Sequence, residues 1–546
     1  MRRLLLVLLL ATQAPAQAQA QAQAQAPAQA PAQAPAQAQT LRIGTAAEST
    51  AADPHHFMLT PNSTLRGHLF DGLTKLDAAL AVQPGLATAW ERSGDRTWTF
   101  TLRRGVVFSN GEAFGAPDIA FTFCRILNNK EELVSSYSAT VRRMEAVEAL
   151  GEDKLLIRTV APEPLLLSDL SALMILPRSL GQAGAAFDTK TACGGGAYPV
   201  QADFNEGRAA IGTGPFKLAS YARSATTVLV RNDRYWGPPA PWADVRLSPI
   251  TAPASRLAAL LAGDQDLIEA PGTADLPRLR GDARFVVTTT PTTRLVFLQL
   301  DTARDPSPFV PGRNALRDPR VRQALSLALN RQALQDRVMD GVATPAAQFL
   351  PDGMFGTIPG LPLPPYDPAR ARALLAEAGY PQGFALTFHA TNNRYVNDIQ
   401  IAQAVAQQWQ RVGVKAEVEL MPSAMYFTRR GKRDFSASMG GWSTDAGETL
   451  NFFRTWLITT DLPAGLGGSN YGGWADPPFD ALVKSALQEM GDGKRAGLLQ
   501  QAARRALEQA PVIPVHFESA AWASRQGIRY PGRVDQTTLA TEVTGR

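Results

Sequence analysis

Residues 439–448 read Met-Gly-Gly-Trp-Ser-Thr-Asp-Ala-Gly-Glu and carry the residue types with the most chemical reach in this chain. Trp442 offers an aromatic face and Asp445 an anionic head, set among small residues between periodic elements. A closed cleft that seizes a cationic group needs a carboxylate for charge and an indole for stacking. It also needs glycines, here Gly441, for close backbone approach. The same phrase also fits a packed tryptophan beside a turn-forming aspartate, so its surroundings must decide.

Catalytic constellations are missing elsewhere. The chain has no His-Glu-x-x-His, no Gly-x-Ser-x-Gly and no Gly-x-x-x-x-Gly-Lys-Ser/Thr. His55-His56 is the only histidine pair, and its residues are adjacent rather than spaced for one helical face. That does not suit a tetrahedral zinc site, although contact with an already chelated metal stays open. His389 and His516 fall in predicted strands as core or surface residues. The expectation is a non-enzyme with no catalytic residue, no metal site and no cofactor.

The elements that must position the 439–448 phrase are clearest after residue 310. Asp318-Pro319 supplies an N-cap and a proline at the first helical position, and Val321, Ala324, Leu325, Ala328 and Leu329 mark one helical face. Asp367-Pro368 repeats that grammar, with Gly379 as the C-terminal cap residue and Pro381 beyond it. A strand at 386–389, a helix through Ile401, Val405 and Trp409, and a strand at 414–420 complete a βαβ crossover, which predicts parallel pairing. Earlier strands are predicted at 41–44, 98–102, 155–160, 217–221 and 227–230, with a helix from Pro117 through Ile126. The Gly/Pro-rich stretch 192–215 reads as a boundary.

Length and composition bound the rest. With 546 residues, 45% hydrophobic and 19% charged, the chain is ordinary globular material sized for two or three lobes. Met1-Arg2-Arg3 followed by an uncharged apolar run at 4–10 is the pattern of a secretory signal peptide, assigned to 1–20, and is too short to span a bilayer. The Ala/Gln/Pro tract at 21–39 lacks large apolar residues and reads as a disordered leader. No cysteine follows the apolar run, which argues against a lipid anchor, and no later stretch suits a spanning helix. Net charge is +5, and loss of Arg2 and Arg3 with the signal lowers it by two to +3, too mild to argue for nucleic acid. Arg429-Arg430-Gly431-Lys432-Arg433 is the densest basic run and reads as a solvated loop or helix end. Cys124 and Cys193 are the only cysteines. They form either one disulfide, favoured in an oxidising compartment, or two buried thiols.

Four groups of segments, in order, resemble the extracytoplasmic solute-binding proteins of family 5, the peptide/nickel/opine class that serves ABC transporters. The first is Leu69-Phe70-Asp71-Gly72-Leu73 with Pro84-Gly85-Leu86-Ala87-Thr88-Ala89-Trp90 and the strand and turn at 97–111. The second is Gly212-Thr213-Gly214-Pro215-Phe216 with Arg231-Asn232-Asp233-Arg234-Tyr235-Trp236-Gly237. The third runs from Asp318-Pro319-Arg320-Val321-Arg322-Gln323-Ala324-Leu325 to Asn330-Arg331. The last is Tyr366-Asp367-Pro368 with Ala376-Glu377-Ala378-Gly379-Tyr380-Pro381, then Gly440-Gly441-Trp442. Together they cover nearly all of 41–530.

The resemblance implies an α/β, periplasmic-binding-protein-like two-lobed clamshell with an additional domain inserted in the first lobe. Lobe I is expected from 40–72, 200–300 and 513–546, the extra domain II from 73–199, and lobe II (domain III) from 301–512. The implied function is capture of a small peptide or related amino-bearing solute in the periplasm, by hinge closure, for a cognate ABC permease in the inner membrane. The chain is expected to act as a monomer without a membrane span. Alternatives on the same scaffold are a chaperone-like or sensory periplasmic protein, or a binder of an opine, chelated nickel or an oligosaccharide. In peptide-binding relatives an aspartate after the Gly-Trp phrase pairs with the solute's ammonium, a position that Asp445 matches. An arginine ahead of the following helix holds the solute carboxylate, and Arg394 sits nearly there with a slightly shorter spacing to Gly413; a surface arginine is the other reading. Ala446-Gly447-Glu448 departs from the usual pattern. Glu448 is read as a helix cap in preference to a second carboxylate for a more cationic solute.

Overall fold

Two antiparallel strands, Phe285–Leu300 and Val512–Arg525, run through the middle of the largest sheet and belong to both of its halves. On one side follow Leu267–Glu269, Thr40–Thr45, Asp244–Pro249, Thr227–Arg231 and Phe216–Ser220. On the other follow Ala437–Trp442, Ala385–Thr391 and Lys415–Met421. This architecture comes from a computed structural model that describes residues 40–129, 136–184, 186–444 and 446–545. The expected signal peptide and leader fall outside the described residues.

The two long strands pair continuously from Phe285 opposite Arg525 to Pro291 opposite Ser519. The ladder then breaks and resumes at Leu295 opposite Phe517. Proline cannot donate to a ladder, so Pro291 is a natural end for the first half. Beyond the break every residue from Leu295 to Leu300 is buried, as expected for a strand covered on both faces.

The βαβ crossover forms as its pattern predicts. Ala385–Thr391 pairs parallel with Lys415–Met421, joined by the helix Asp398–Gln410. Ile401, Val405 and Trp409 are its fully buried stripe, and the Trp409 indole N–H donates to Leu325 O at 3.0 Å. The caps hold as well: Asp318 accepts from Arg320 N and Asp367 from Arg370 N, each at 2.8 Å.

Within 73–199 a four-stranded antiparallel sheet is ordered Ala87–Ser93, Thr97–Leu102, Lys154–Thr159, Met144–Ala149. Trp98, Phe100 and Leu102 alternate inward beneath the helix Ala116–Leu127. Cys124 on that helix is disulfide-bonded to Cys193, closing a separation of 69 residues. The pair is therefore not two free thiols.

Motifs far apart in sequence meet at Asp71. Its buried carboxylate accepts from Thr213 Oγ1 at 2.9 Å and from the Trp236 indole at 2.8 Å, and it pairs with Lys75 Nζ at 2.7 Å. Three segments that look unrelated as text are thus one hydrogen-bonded node. Replacing one member of a buried polar network strands the others at a cost of about 1–3 kcal/mol each. Asp71→Ala is expected to lower unfolding stability by about 3 kcal/mol, read from the urea midpoint. A loss under about 0.5 kcal/mol, the size of a neutral surface change, would contradict this role.

Candidate functional site

The strands Ala385–Thr391, Lys415–Met421 and Ala437–Trp442 run parallel and end at one edge of the sheet. Ligand groups collect at the carboxyl ends of parallel strands, where the chain leaves the ladder. The exits here start at Asn392, Pro422 and Ser443. The first two are tied together, Asn392 N donating to Met421 O at 3.1 Å and Ser423 N to Asn393 Oδ1 at 2.8 Å.

Three of the four residues expected in the site come together at this edge. A Cβ on Gly441 would lie 2.3 Å from the Tyr395 ring, and one on Gly440 would lie 2.6 Å from the Phe297 ring. The glycine pair therefore admits two aromatic rings, one on each side of the strand. Close approach at Gly441 thus already serves Tyr395. Arg394 lies over the other side of this arrangement, its guanidinium carbon 5.3 Å from the Tyr395 ring centre. Arg394 is exposed, and its loop is held from below by buried Asp398, which accepts from Arg394 N at 2.9 Å and Thr391 Oγ1 at 2.7 Å. Trp442 is half-buried, with Phe452 against its ring at 5.2 Å, so the core already uses part of the indole. Asp445 lies outside the described residues.

Where the ladder of the long strands breaks, side chains take over its hydrogen bonds. Thr292 Oγ1 donates to Glu518 O at 2.7 Å, and Thr293 Oγ1 donates to Thr444 O at 3.2 Å. Thr293 thus fastens the break directly to the loop that follows Trp442. Arg294 is 3.5 Å from Glu518 and reaches Gln536 Oε1 at 3.1 Å. Glu518 also accepts from Val396 N at 3.1 Å, in the loop that carries Arg394. Burial raises the Glu518 carboxyl above its ordinary range, with Arg294 opposing the shift. Motif reading misses Arg294 and Glu518 because neither lies in a motif. Their signal is a lone charge in an otherwise uncharged stretch of strand, Thr-Thr-Arg-Leu-Val-Phe around Arg294 and Val-His-Phe-Glu-Ser-Ala around Glu518, which a buried strand tolerates only when the charge is paired.

Other parts of the chain close over this corner. Leu165, from the 73–199 segment, is buried in one cluster with Leu295, Phe297 and Phe452. Arg92 Nη1 donates to Met490 O at 3.2 Å, and a Cβ on Gly447 would sit 3.5 Å from Leu80.

Glu448 occupies the N-cap position of the short helix Thr449–Phe452, but its side chain makes no capping bond. Its carboxylate instead takes two hydrogen bonds from Arg495 Nη1, both 2.9 Å. The capping expectation is correct for the position and wrong for the side chain. Burial outweighs Arg495 and pushes Glu448 up to about 7. His55 is buried against Arg125, and burial with that cation beside it pushes the imidazole down to about 3. It serves a buried Asp53–Arg125 pair.

The profile of bacterial extracellular solute-binding proteins, family 5 Middle, matches residues 81–463. Over 452 residues the chain is 30% identical to the dipeptide-binding protein of Escherichia coli strain K12, spanning 79% of this chain and 80% of that one. It is 28% identical over 456 residues to heme-binding protein A of Haemophilus influenzae, spanning 80% and 78% of the two chains. A solved periplasmic binding protein of Helicobacter pylori, in complex with the peptide STSA, matches with TM-score 0.75 at 22% identity, covering 93% of this chain and 98% of that one. No described helix is long and apolar enough to cross a membrane. Its two-lobed α/β clamshell and the reach of the family profile make the chain a member of the bacterial extracellular solute-binding proteins, family 5.

Proposed function

We propose that the chain is the periplasmic solute-binding component of an ABC importer, capturing a small peptide or related amino-bearing solute and passing it to an inner-membrane permease. The observation that carries this reading is the broken ladder at Pro291–Leu295, tied by Thr293 to the loop after Trp442. A hinge and a binding loop joined by a hydrogen bond let solute contact bias the opening of the lobes. In this reading 40–72, 200–300 and 513–546 form lobe I, 301–512 forms lobe II, and 73–199 is the extra domain. Closure is favoured by the solute's differential contacts with the closed state, and it can be favoured by no more than that difference.

Asp445 is the group assigned to the solute ammonium, with Trp442 and Gly441 as the wall beside it and Arg394 as the partner for a solute carboxylate. A planar guanidinium suits a carboxylate because two parallel donors meet two oxygens. Arg394 is exposed beside the site, which supports the role. Glu448 is assigned no solute contact, since Arg495 already engages both of its oxygens. Relatives are named for a dipeptide and for heme, so the peptide assignment rests on the ammonium and carboxylate partners and not on names.

Asp445→Ala is expected to weaken binding of alanine di- and tripeptides by about 2–5 kcal/mol in calorimetry, the scale for removing one partner of a desolvated charge pair. An unchanged dissociation constant would remove Asp445 from the site. A second outcome follows from Glu448. A carboxyl raised from 4.5 to about 7 keeps a proton on folding that the unfolded chain releases, so its contribution to stability falls as pH rises through that window. Glu448→Gln removes this slope. The stability gap between variant and wild type should shift by on the order of 1 kcal/mol or more between pH 5 and 8, in favour of the variant at high pH. A gap independent of pH would show that Glu448 is already ionised at pH 5.

A further inference from the structure

The basic run 429–433 closes a helix, as expected, and is exposed at Gly431, Lys432 and Arg433, but its first two arginines are engaged by the fold. Arg429 pairs with Glu419 at 2.7 Å and lies 5.1 Å from the Phe435 ring. Arg430, beside it on the helix Ser423–Gly431, is only 8% exposed. Its guanidinium carbon lies 5.5 Å from the Tyr426 ring centre, 4.8 Å from Phe427, 5.2 Å from Trp456 and 5.2 Å from Tyr471.

Other buried arginines in this chain engage oxygen. Arg256 donates to the carbonyls of Ile250, Thr251, Glu269 and Ala270. Arg322 donates to Leu316, Arg317 and Gln509 carbonyls, and Arg331 to Pro514 and Ser326. Arg125, Arg495 and Arg533 pair with carboxylates. Arg430 differs. Among the described residues no carboxylate pairs with it, and its buried Nη1 has no hydrogen-bond partner. The neighbouring Trp456 Nε1 is likewise a buried donor without a partner.

Four rings recover part of a guanidinium's lost hydration, but a buried cation is stable only when an anion or several acceptors complete it. The Tyr426 hydroxyl is hydrogen-bonded with Arg430, but Nη1 and the Trp456 indole are still without an acceptor, and two such donors in an aromatic surround suit a small anion. A carboxylate fits best, because its two oxygens can meet one guanidinium donor and one indole donor. The site is close to the cleft loop: Trp456 stacks on Phe452 at 6.2 Å, and Phe452 touches Trp442 at 5.2 Å. We propose that Arg430 and Trp456 form an anion-binding subsite that takes the carboxylate of an acidic side chain on the cleft-bound solute. The proposal rests on the peptide reading above and narrows it to acidic peptides.

The experiment is competition for the full-length mature protein by an equimolar pool of Glu-containing alanine di- and tripeptides and their Gln-containing counterparts, with bound species quantified by native mass spectrometry. Each pair differs only in charge. Wild type is expected to retain the best Glu peptide at least tenfold over its Gln partner. Arg430→Met is expected to lose that preference while binding the Gln peptide within threefold of wild type. Should Arg430→Met fail to fold, Trp456→Phe, which removes one donor and keeps a ring, is expected to reduce the preference severalfold. Binding of both members of every pair without preference would overturn the subsite and leave the peptide reading intact. Retention of no peptide would overturn both. Saturation of Trp456 fluorescence by acetate alone, with no peptide-charge preference, would assign the anion to solvent and overturn its origin in the solute.

Discussion

The structure depends on where two long strands stop pairing. A strand buried on both faces must satisfy every backbone donor and acceptor, and the ladder between Phe285–Leu300 and Val512–Arg525 does this on either side of residues 292–294. In the gap the hydroxyls of Thr292 and Thr293 and the charges of Arg294 and Glu518 substitute for it. Side-chain contacts rotate at lower cost than a ladder breaks. Backbone pairing is therefore continuous in each half and replaced by side-chain contacts in between, at a place that adjoins the loop after Trp442, and it is here that the proposed hinge lies.

Buried charge tells which parts of the chain are structural. Asp71 joins three segments, Asp53 joins Arg125 to the N-terminal region, and Glu448 joins Arg495. Each is paired, because an unpaired buried charge costs several kcal/mol. Exposed Arg394 and half-buried Trp442, at the end of the same sheet, are not so consumed. That contrast separates groups held for the fold from groups that the fold leaves free, and it keeps Glu448 in the first class, with Arg495 as its partner in place of the expected cap.

Much of the fold was legible as sequence. Asp318, Asp367 and the stripe Ile401, Val405, Trp409 specify local structure by capping and period, so their helices appear where the pattern puts them. The parallel pairing of 385–391 with 415–421 follows from crossover length. The long strand at 285–300 was not legible, since Thr, Pro and Arg interrupt its apolar run at the very place where the ladder breaks. Gly441 was read for close approach, and only coordinates show that Tyr395 is one of the groups that comes close. Arg430 was hidden for a similar cause. Five residues dense in charge look solvated until four aromatic rings, two of them some 25 to 40 residues away in sequence, gather around one of them.

The most direct test is the distance between the lobes. Spin labels on Arg246→Cys and Arg370→Cys, exposed positions on the two sides of the broken ladder, report it by double electron–electron resonance. Protein stripped of solute by unfolding and refolding should give a broad, longer distribution that collapses to one shorter distance on saturation with alanine di- and tripeptides. Identical distributions with and without bound peptide would show a rigid body, and the hinge at residues 292–294 would lose its role.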